Sequence, residues 1–272
     1  MDKALEVERS LITTFRFSIY HPFISAISDY SLISENDKIA VCISGGKDSF
    51  LMAKCFQELS KYSSFPFECI YLLMDPGYSK ENIESIKNTA KEINIPLTIF
   101  KTDIFKIVDI QKENKCYICA KMRRGALYSK ASELGCNKIA LGHHYDDVIE
   151  TTLMSIFYSG SVETMLPILE SDNYKGLKLI RPLYYVREKD IIEFEKTNQL
   201  NFLKNGCFIT KDSSLCSQSK RQEMKKLISS LEKENDAIPK NIFNSMDNIN
   251  LDKVLGYKLN KEKIEVIEKK KK

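Results

Sequence analysis

The chain has 272 residues, of which 43% are hydrophobic and 29% charged, and it carries a formal net charge of +4. This describes a globular protein of one large domain, or one domain with an appendage, whose mild basicity permits an RNA partner without establishing one. The longest apolar runs are too short for a bilayer span and residues 1–10 are too polar for a secretory signal, so we expect a cytoplasmic protein without a membrane partner. In that compartment its eight cysteines are thiols, metal ligands or redox groups rather than disulfides.

β-Prone runs alternate with amphipathic helical segments, after a helix predicted from Ala4 to Tyr20. The predicted strands are Lys38–Ser44, Phe67–Asp75, Leu97–Asp103, Lys138–His144 and Leu177–Leu183. The helices predicted between them are Asp48–Leu59, Lys80–Ile93, Cys119–Leu134 and Tyr145–Tyr158. This order is typical of an α/β fold with a doubly wound, five-stranded parallel sheet and helices on both faces. Ligands of such sheets bind beyond the carboxyl ends of the strands.

Strand signals fade after Arg187, and helical periodicity returns in Lys189–Thr197, Lys220–Leu231 and Lys240–Met246. The sequence therefore predicts three parts. These are an N-terminal helical segment at 1–37, an α/β domain at 38–190 and a small helical extension at 191–272.

A phosphate-binding turn follows the first predicted strand. Its sequence is Ser44-Gly45-Gly46-Lys47-Asp48-Ser49, at the start of a helix whose free N–H groups attract anions. Two glycines let the backbone approach a phosphate, and the spacing differs from that of the Walker loop. Asp48 suits either a Mg²⁺ ion that bridges phosphate oxygens or a cap on the helix.

Polar residues also follow the second and fourth predicted strands. Asp75 ends the second strand, and Gly142-His143-His144 leads from the fourth strand to Asp146 and Asp147 at a helix start. The two acids suit an N-terminal turn, where they favour the helix dipole and could hold Mg²⁺ or orient an adenylate. A structural cap explains one aspartate but not the whole cluster.

A third motif is the cysteine pair Cys116 and Cys119, which Arg123 and Arg124 follow. In a reducing compartment the pair is a zinc ligand pair, a redox dithiol or part of an iron–sulfur site. A thiolate at Cys207 or Cys216 would complete a three-cysteine [4Fe-4S] site with one open iron. The arginines suit phosphate oxygens or a solvated helix face. The remaining cysteines sit in apolar patterns and are predicted core residues: Cys42, Cys55, Cys69 and Cys136.

Together these motifs resemble those of the tRNA 2-thiocytidine synthetases, a branch of the PP-loop ATPases. The resemblance runs from about Lys38 to Met246 and includes Arg181-Pro182-Leu183 and Arg187-Glu188-Lys189-Asp190-Ile191. It implies that ATP adenylates the C2 oxygen of cytidine 32 in the anticodon loop, after which sulfur bound at the open iron of a [4Fe-4S] cluster displaces AMP and leaves 2-thiocytidine. The implied partners are tRNA and a sulfur donor such as a cysteine desulfurase, with a homodimer as one assembly.

The resemblance also implies residue roles. Catalysis is expected of Lys47, Asp48, Asp146 and Asp147, together with Mg²⁺. ATP is expected to bind at Ser44, Gly45, Gly46, Lys47, Asp48, Ser49, Asp75, Gly142 and His143. The expected cluster ligands are Cys116, Cys119 and Cys216.

The third ligand is the point at which the sequence departs from the family. The family pattern Cys-x-Leu-Cys-Gly-Ser-Gln has its counterpart in Ser213-Ser214-Leu215-Cys216-Ser217-Gln218. Cys216 matches the second cysteine, whereas Ser213 replaces the first and Cys207 lies upstream. The alternatives are a PP-loop thiolase with another RNA position or a small molecule as substrate, an amide-forming ligase, and a non-catalytic protein that binds nucleotide and metal.

Overall fold

The computed structural model describes residues 2–111, 113–203, 220–259 and 262–266. The α-helices of these ranges are α1 Lys3–Ile12, α2 His21–Asp29, α3 Lys47–Tyr62, α4 Lys80–Glu92, α5 Ile104–Asp109, α6 Lys115–Glu133, α7 Tyr145–Met154, α8 Glu188–Thr197, α9 Lys220–Glu234 and α10 Ile238–Asn244. The strands are β1 Lys38–Ile43, β2 Glu68–Asp75, β3 Leu97–Lys101, β4 Lys138–Ala140, β5 Ile168–Glu170, β6 Lys178–Ile180, β7 Gly256–Leu259 and β8 Glu262–Glu265. Short π-helical turns occur at Arg16–Tyr20 and Ser155–Ser159.

The main sheet has the strand order β3-β2-β1-β4-β6-β5. Its first five strands are parallel, and each lies within one of the five runs predicted from the sequence. The sixth strand, β5, pairs antiparallel with β6 at the edge. It was missed because it is only three residues long and two of these are exposed, so it carries no buried apolar run. The doubly wound α/β prediction is thus confirmed, with an added edge strand and a separate β7–β8 hairpin.

β1 is buried on both faces, which explains its continuous apolar sequence. Ile39, Val41 and Ile43 belong to the larger core, to which α1, α3 and α8 also contribute. Ala40 and Cys42 face the smaller core beneath α6. Cys42, Cys55 and Cys136 are buried, as predicted for core residues. Cys69, which was predicted with them, is half-buried.

The helix predicted over Ala4–Tyr20 is divided. α1 ends at Ile12, a π-helical turn follows, and α2 continues with Pro22 in its first turn, where proline is tolerated. Across the described ranges, no helix has the length and apolarity that a membrane span requires. The domain boundaries drawn from the sequence remain a prediction.

The strand order reverses between β1 and β4, since β2 and β3 lie on one side of β1 and β4 and β6 on the other. Such a reversal opens a crevice beyond the carboxyl ends of the two central strands. The loops that follow β1 and β4 therefore face each other across this crevice.

Candidate active site

The turn between β1 and α3 is fixed by its own hydrogen bonds. The Ser49 hydroxyl accepts from the Ser44 N–H at 3.1 Å and donates to the Gly46 carbonyl oxygen at 2.9 Å. Gly45 has φ +91°, and a Cβ there would lie 2.8 Å from the Ile86 side chain, so the position requires glycine. The loop conformation is therefore set before any ligand binds.

Gly142 brings the loop after β4 against the first turn of α3. A Cβ at this position would lie 3.2 Å from both the Asp48 carbonyl carbon and the Ser49 nitrogen. Because both of these are backbone atoms, they could not give way without moving the phosphate loop. Gly142 thus sets the distance between the two central loops.

A cavity of about 410 Å³ opens between these loops and α6. Its polar lining includes Ser44, Asp48, Ser49, Arg123, Arg124, His143 and Asp147. Its apolar lining includes Met74, Leu127, Ile139 and Leu141. A pocket with an apolar half beside cationic and hydroxyl groups has the chemistry to hold an aromatic base together with its phosphates.

His143 forms part of the cavity wall, and its Nδ1 atom is buried with no hydrogen-bond partner among the described residues. Burial lowers the pKa of His143 to about 4, and Arg181 and Arg221 act in the same direction against the opposing charge of Asp147. The imidazole is therefore neutral near pH 7 and is able to accept or donate one hydrogen bond to a bound molecule.

His144 is instead the N-cap of α7. Its Nδ1 atom accepts from the Asp147 N–H at 3.4 Å, and Asp147 Oδ2 accepts from the His144 N–H at 3.1 Å. This reciprocal pair satisfies two N–H groups of the helix start. The two histidines therefore differ in function, and both follow the end of β4 instead of lying in the strand.

Asp146 and Asp147 point to different neighbours. Asp147 lines the cavity and pairs with Arg221 of α9. Asp146 pairs with Arg187 at 3.1 Å and accepts the Glu188 N–H at 2.6 Å, which anchors the start of α8. Only Asp147 lines the cavity described above.

The loop lysine lies between two carboxylates. Lys47 Nζ is 3.0 Å from Asp48 Oδ1 and 3.2 Å from Glu188 Oε1. The other Glu188 oxygen pairs with Lys225 of α9. Burial alone would raise the pKa of Glu188, but its contacts with Lys225 and Lys47 outweigh burial and hold the pKa below 4.5.

Asp75 ends β2 with a buried carboxylate. Its Oδ1 atom accepts from the N–H groups of Gly77 at 2.9 Å and Tyr78 at 2.8 Å. Asp75 thus shapes the loop that follows β2, and its predicted contact with ATP stays a prediction.

The cysteine pair lies in the first turns of α6. Cys116 is exposed, whereas Cys119 is buried in an apolar cluster with Met74 and Phe105. Residues three and four apart share a helix face, so Cys116 lies above Ala120, which lines the cavity one turn further along. The thiols therefore lie at one end of the helical stripe that forms the cavity wall.

Two thiols on one helix face suit a soft metal or an iron–sulfur cluster, and they fit the expected site as far as it is described. The described ranges contain no group of three cysteine, histidine or acidic residues placed to hold a metal. Cys216, Cys207 and Ser213 lie outside those ranges. The prediction of Cys216 as third ligand is thus untested.

Comparison with known proteins identifies the family. The PP-loop domain matches residues 19–208. The tRNA-cytidine(32) 2-sulfurtransferase of Citrifermentans bemidjiense is 36% identical over 82% of this chain and 87% of its own length. That of Coxiella burnetii is 34% identical over 89% of this chain and 93% of its own. The chain belongs to the tRNA-cytidine 2-sulfurtransferase branch of the PP-loop family. The expected resemblance is confirmed.

A solved structure extends the family comparison to the fold. The U34-tRNA thiolase NcsA from Methanococcus maripaludis, solved with its [4Fe-4S] cluster, superposes with a TM-score of 0.65. It covers 85% of this 2-sulfurtransferase family member and 79% of its own chain at 22% identity. At 22% identity, this structural similarity shows that the two chains share a fold.

In this 2-sulfurtransferase family member, the predicted site residues that line the cavity are Ser44, Asp48, Ser49, Gly142, His143 and Asp147. Lys47 does not line the cavity but pairs with Asp48, which does. Asp146 also lies outside the cavity lining. Sequence reasoning gave no role to Glu188 or Arg221, which contact Lys47 and Asp147. Glu188 does follow Arg187 at the start of a helix in a family motif, and this was the available signal.

Proposed function

We propose that this chain uses ATP to activate the C2 oxygen of cytidine 32 in the tRNA anticodon loop and then replaces that oxygen with sulfur. The cavity carries the proposal, because its two walls supply the two halves of the reaction. One wall is the phosphate loop of β1 and α3. The other is the stripe of α6 that contains Ala120, Arg123 and Leu127, and the cysteine pair precedes this stripe on the same helix.

The phosphate-loop wall suits adenylation. Loop N–H groups, the Lys47 ammonium and the Arg123 guanidinium would hold the triphosphate, and Asp48 would hold a Mg²⁺ ion, which would neutralise phosphate charge. The cytidine O2 atom then attacks the α-phosphorus, an O–P bond forms, and the bond to pyrophosphate breaks. Lys47 would stabilise the charge that develops on the pyrophosphate, and a Mg²⁺ ion held by Asp48 would supply further positive charge there.

The α6 wall suits sulfur delivery. Cys116 and Cys119, with Cys216 as the proposed third ligand, would hold a [4Fe-4S] cluster, which would carry sulfur from the donor at its open iron. Sulfur attacks C2, the C–O bond breaks, and AMP leaves with the former carbonyl oxygen. His143 would hydrogen-bond the activated nucleotide from the opposite wall.

Three observations support this assignment. Relatives over most of the chain are named tRNA-cytidine(32) 2-sulfurtransferase. The similarly folded NcsA is a tRNA thiolase with a [4Fe-4S] cluster. Bases of an anticodon loop are accessible to stacking and edge contacts, which an open cavity allows. The proposal includes a cytoplasmic location, a sulfur donor such as a cysteine desulfurase, and a homodimer as assembly.

Nucleoside mass spectrometry tests the reaction. Anaerobically reconstituted protein, incubated with tRNA, ATP, Mg²⁺ and a sulfide source, should yield 2-thiocytidine and one AMP for each thiolated base. Lys47→Ala should reduce the yield roughly 100-fold or more with unchanged iron content, because it removes a charge that stabilises the leaving group. Formation of 2-thiouridine, or thiolation without ATP, would overturn the proposal.

A further inference from the structure

Glu188 contacts the phosphate-loop lysine across the edge of the cavity. Its Oε1 atom is 3.2 Å from Lys47 Nζ, although 141 residues separate the two in sequence. The Glu188 side chain is 16% exposed and that of Lys47 is 21% exposed. Salt screens a partly buried ion pair of this kind less than it screens a surface pair.

The position of Glu188 is held from two further directions. Asp146 Oδ2 accepts the Glu188 N–H at 2.6 Å, while the same carboxylate pairs with Arg187. On the side-chain end, Lys225 binds the carboxylate oxygen that faces away from Lys47. The backbone N–H and one carboxylate oxygen of Glu188 are therefore held independently of Lys47, and the other carboxylate oxygen faces the Lys47 ammonium.

We infer that Glu188 is a positioning residue that holds the Lys47 ammonium ready for the phosphates of ATP, and that Asp146 acts through Glu188. The inference rests on the proposed ATP-dependent function. The sequence predicts that Asp146 acts in catalysis, but direct contact with the substrate would require its carboxylate to leave Arg187 and Glu188. A role in holding Glu188 is compatible with the contacts that Asp146 makes.

The physical reason for such a residue is the flexibility of lysine. The ammonium sits on a four-carbon stem, and ordering that stem when a ligand binds costs free energy. A fixed carboxylate at 3.2 Å restricts the stem beforehand. Lys225 offsets the charge of Glu188, so that the carboxylate repels the incoming phosphates less.

A double-mutant cycle on ATP affinity tests this inference. The dissociation constant for Mg-ATP is measured by titration calorimetry, and by equilibrium dialysis with labelled ATP where binding is weak. Glu188→Gln keeps the side-chain shape and removes the charge, and we expect it to weaken ATP binding about tenfold. In a Lys47→Ala background the same substitution should cause no further loss, because the group through which it acts is gone.

Controls separate positioning from general damage. Glu193→Gln, on the exposed face of the same helix, should leave ATP affinity unchanged. Asp146→Asn loosens the backbone of Glu188 and should weaken ATP binding about threefold, again only when Lys47 is present. This second variant decides the matter should Glu188→Gln fail to fold.

The outcomes are distinct. Tighter ATP binding by Glu188→Gln would mean that the carboxylate competes with phosphate, and equal losses in both backgrounds would mean that it acts elsewhere. Either result overturns the inference, as does unchanged affinity of Asp146→Asn. Absence of ATP binding by the unsubstituted protein would instead refute the proposed function itself.

Discussion

The phosphate-loop wall of the cavity and the α6 wall differ in how many of their polar groups already have partners. In the loop, Ser49 binds both Ser44 and Gly46, and Lys47 lies between two carboxylates. On α6, Cys116 is exposed and the Arg123 guanidinium has one long contact, 3.4 Å to the Tyr78 hydroxyl. Within the described ranges Arg124 makes no hydrogen bond or ion pair.

This difference indicates what each wall requires from its ligand. The loop is organised in advance, so a triphosphate can bind without paying for backbone order. The α6 wall presents the exposed Cys116 thiol and two guanidinium groups, which suit a metal cluster and an RNA backbone as ligands.

The largest effect should come from removing thiols of the α6 wall. Cys116→Ser and Cys119→Ser should each lose most of the iron and all measurable sulfur transfer, since serine is a poor ligand for iron in such clusters. ATP affinity should stay within about twofold, because the phosphate loop is built without α6. Iron analysis, visible absorption and ATP titration on anaerobic protein measure these quantities.

A matched cysteine control is Cys69→Ser, at a half-buried thiol near the start of β2, whereas Met74, which packs with Cys119, lies near the other end of that strand. It should keep the iron content of the unsubstituted protein. Retention of about four irons per chain in Cys116→Ser would show that this thiol is not a cluster ligand, and the proposed difference between the two walls would then lose its support.

An intermediate effect should come from disturbing the loop wall. Gly142→Ala places a Cβ 3.2 Å from two backbone atoms of the first α3 turn, so the loop must shift. We expect ATP binding to weaken about tenfold and the free energy of unfolding to fall by about 1–3 kcal/mol, as for other overpacked sites. Calorimetry and chemical denaturation measure the two changes.

The α6 wall offers the control for this substitution. Gly125 lies within α6, and a Cβ there would meet nothing within 4 Å. Gly125→Ala should stabilise the protein by about 0.5–1 kcal/mol with unchanged ATP affinity, because alanine favours the helix. Equal ATP affinities in both glycine variants would show that the close approach at Gly142 is not needed for binding.

Sequence patterns located the loop wall more completely than the rest of the site. The buried run of β1 and the glycine pair after it predicted a strand, a turn and a helix start, because each follows from local chemistry. Glu188 and Arg221 reach the site from helices far along the chain, and no local pattern shows which carboxylate a lysine will meet. The different contacts of Asp146 and Asp147 also depend on tertiary structure, because Asp146 pairs with Arg187 and with the start of α8.

The smallest effect concerns α7, which begins between the two walls and carries the buried carboxyl Glu150. Burial raises the pKa of Glu150 to about 7, Asp147 acts in the same direction, and Arg221 opposes both. The folded protein therefore binds a proton at Glu150 that the unfolded chain, with a pKa near 4.5, has already released. The stability that this group contributes is present at low pH and is lost as the pH rises from 4.5 through 7.

Glu150→Gln keeps the shape and removes the titration, so its benefit should depend on pH. At pH 8 the melting temperature should exceed that of the unsubstituted protein by about 2–4 °C, as expected for roughly 1 kcal/mol in a domain of this size. At pH 5 the two should melt at nearly the same temperature, because the folded Glu150 carboxyl is then neutral, as the glutamine amide is at every pH. His143, whose lowered pKa makes stability fall as the pH drops below 6.5, is common to both proteins and cancels in the difference. Glu92→Gln, at an exposed position of α4, should give the same melting temperature as the unsubstituted protein at both pH values. A gain of equal size at pH 5 and pH 8 would show that burial does not raise the pKa of the Glu150 carboxyl.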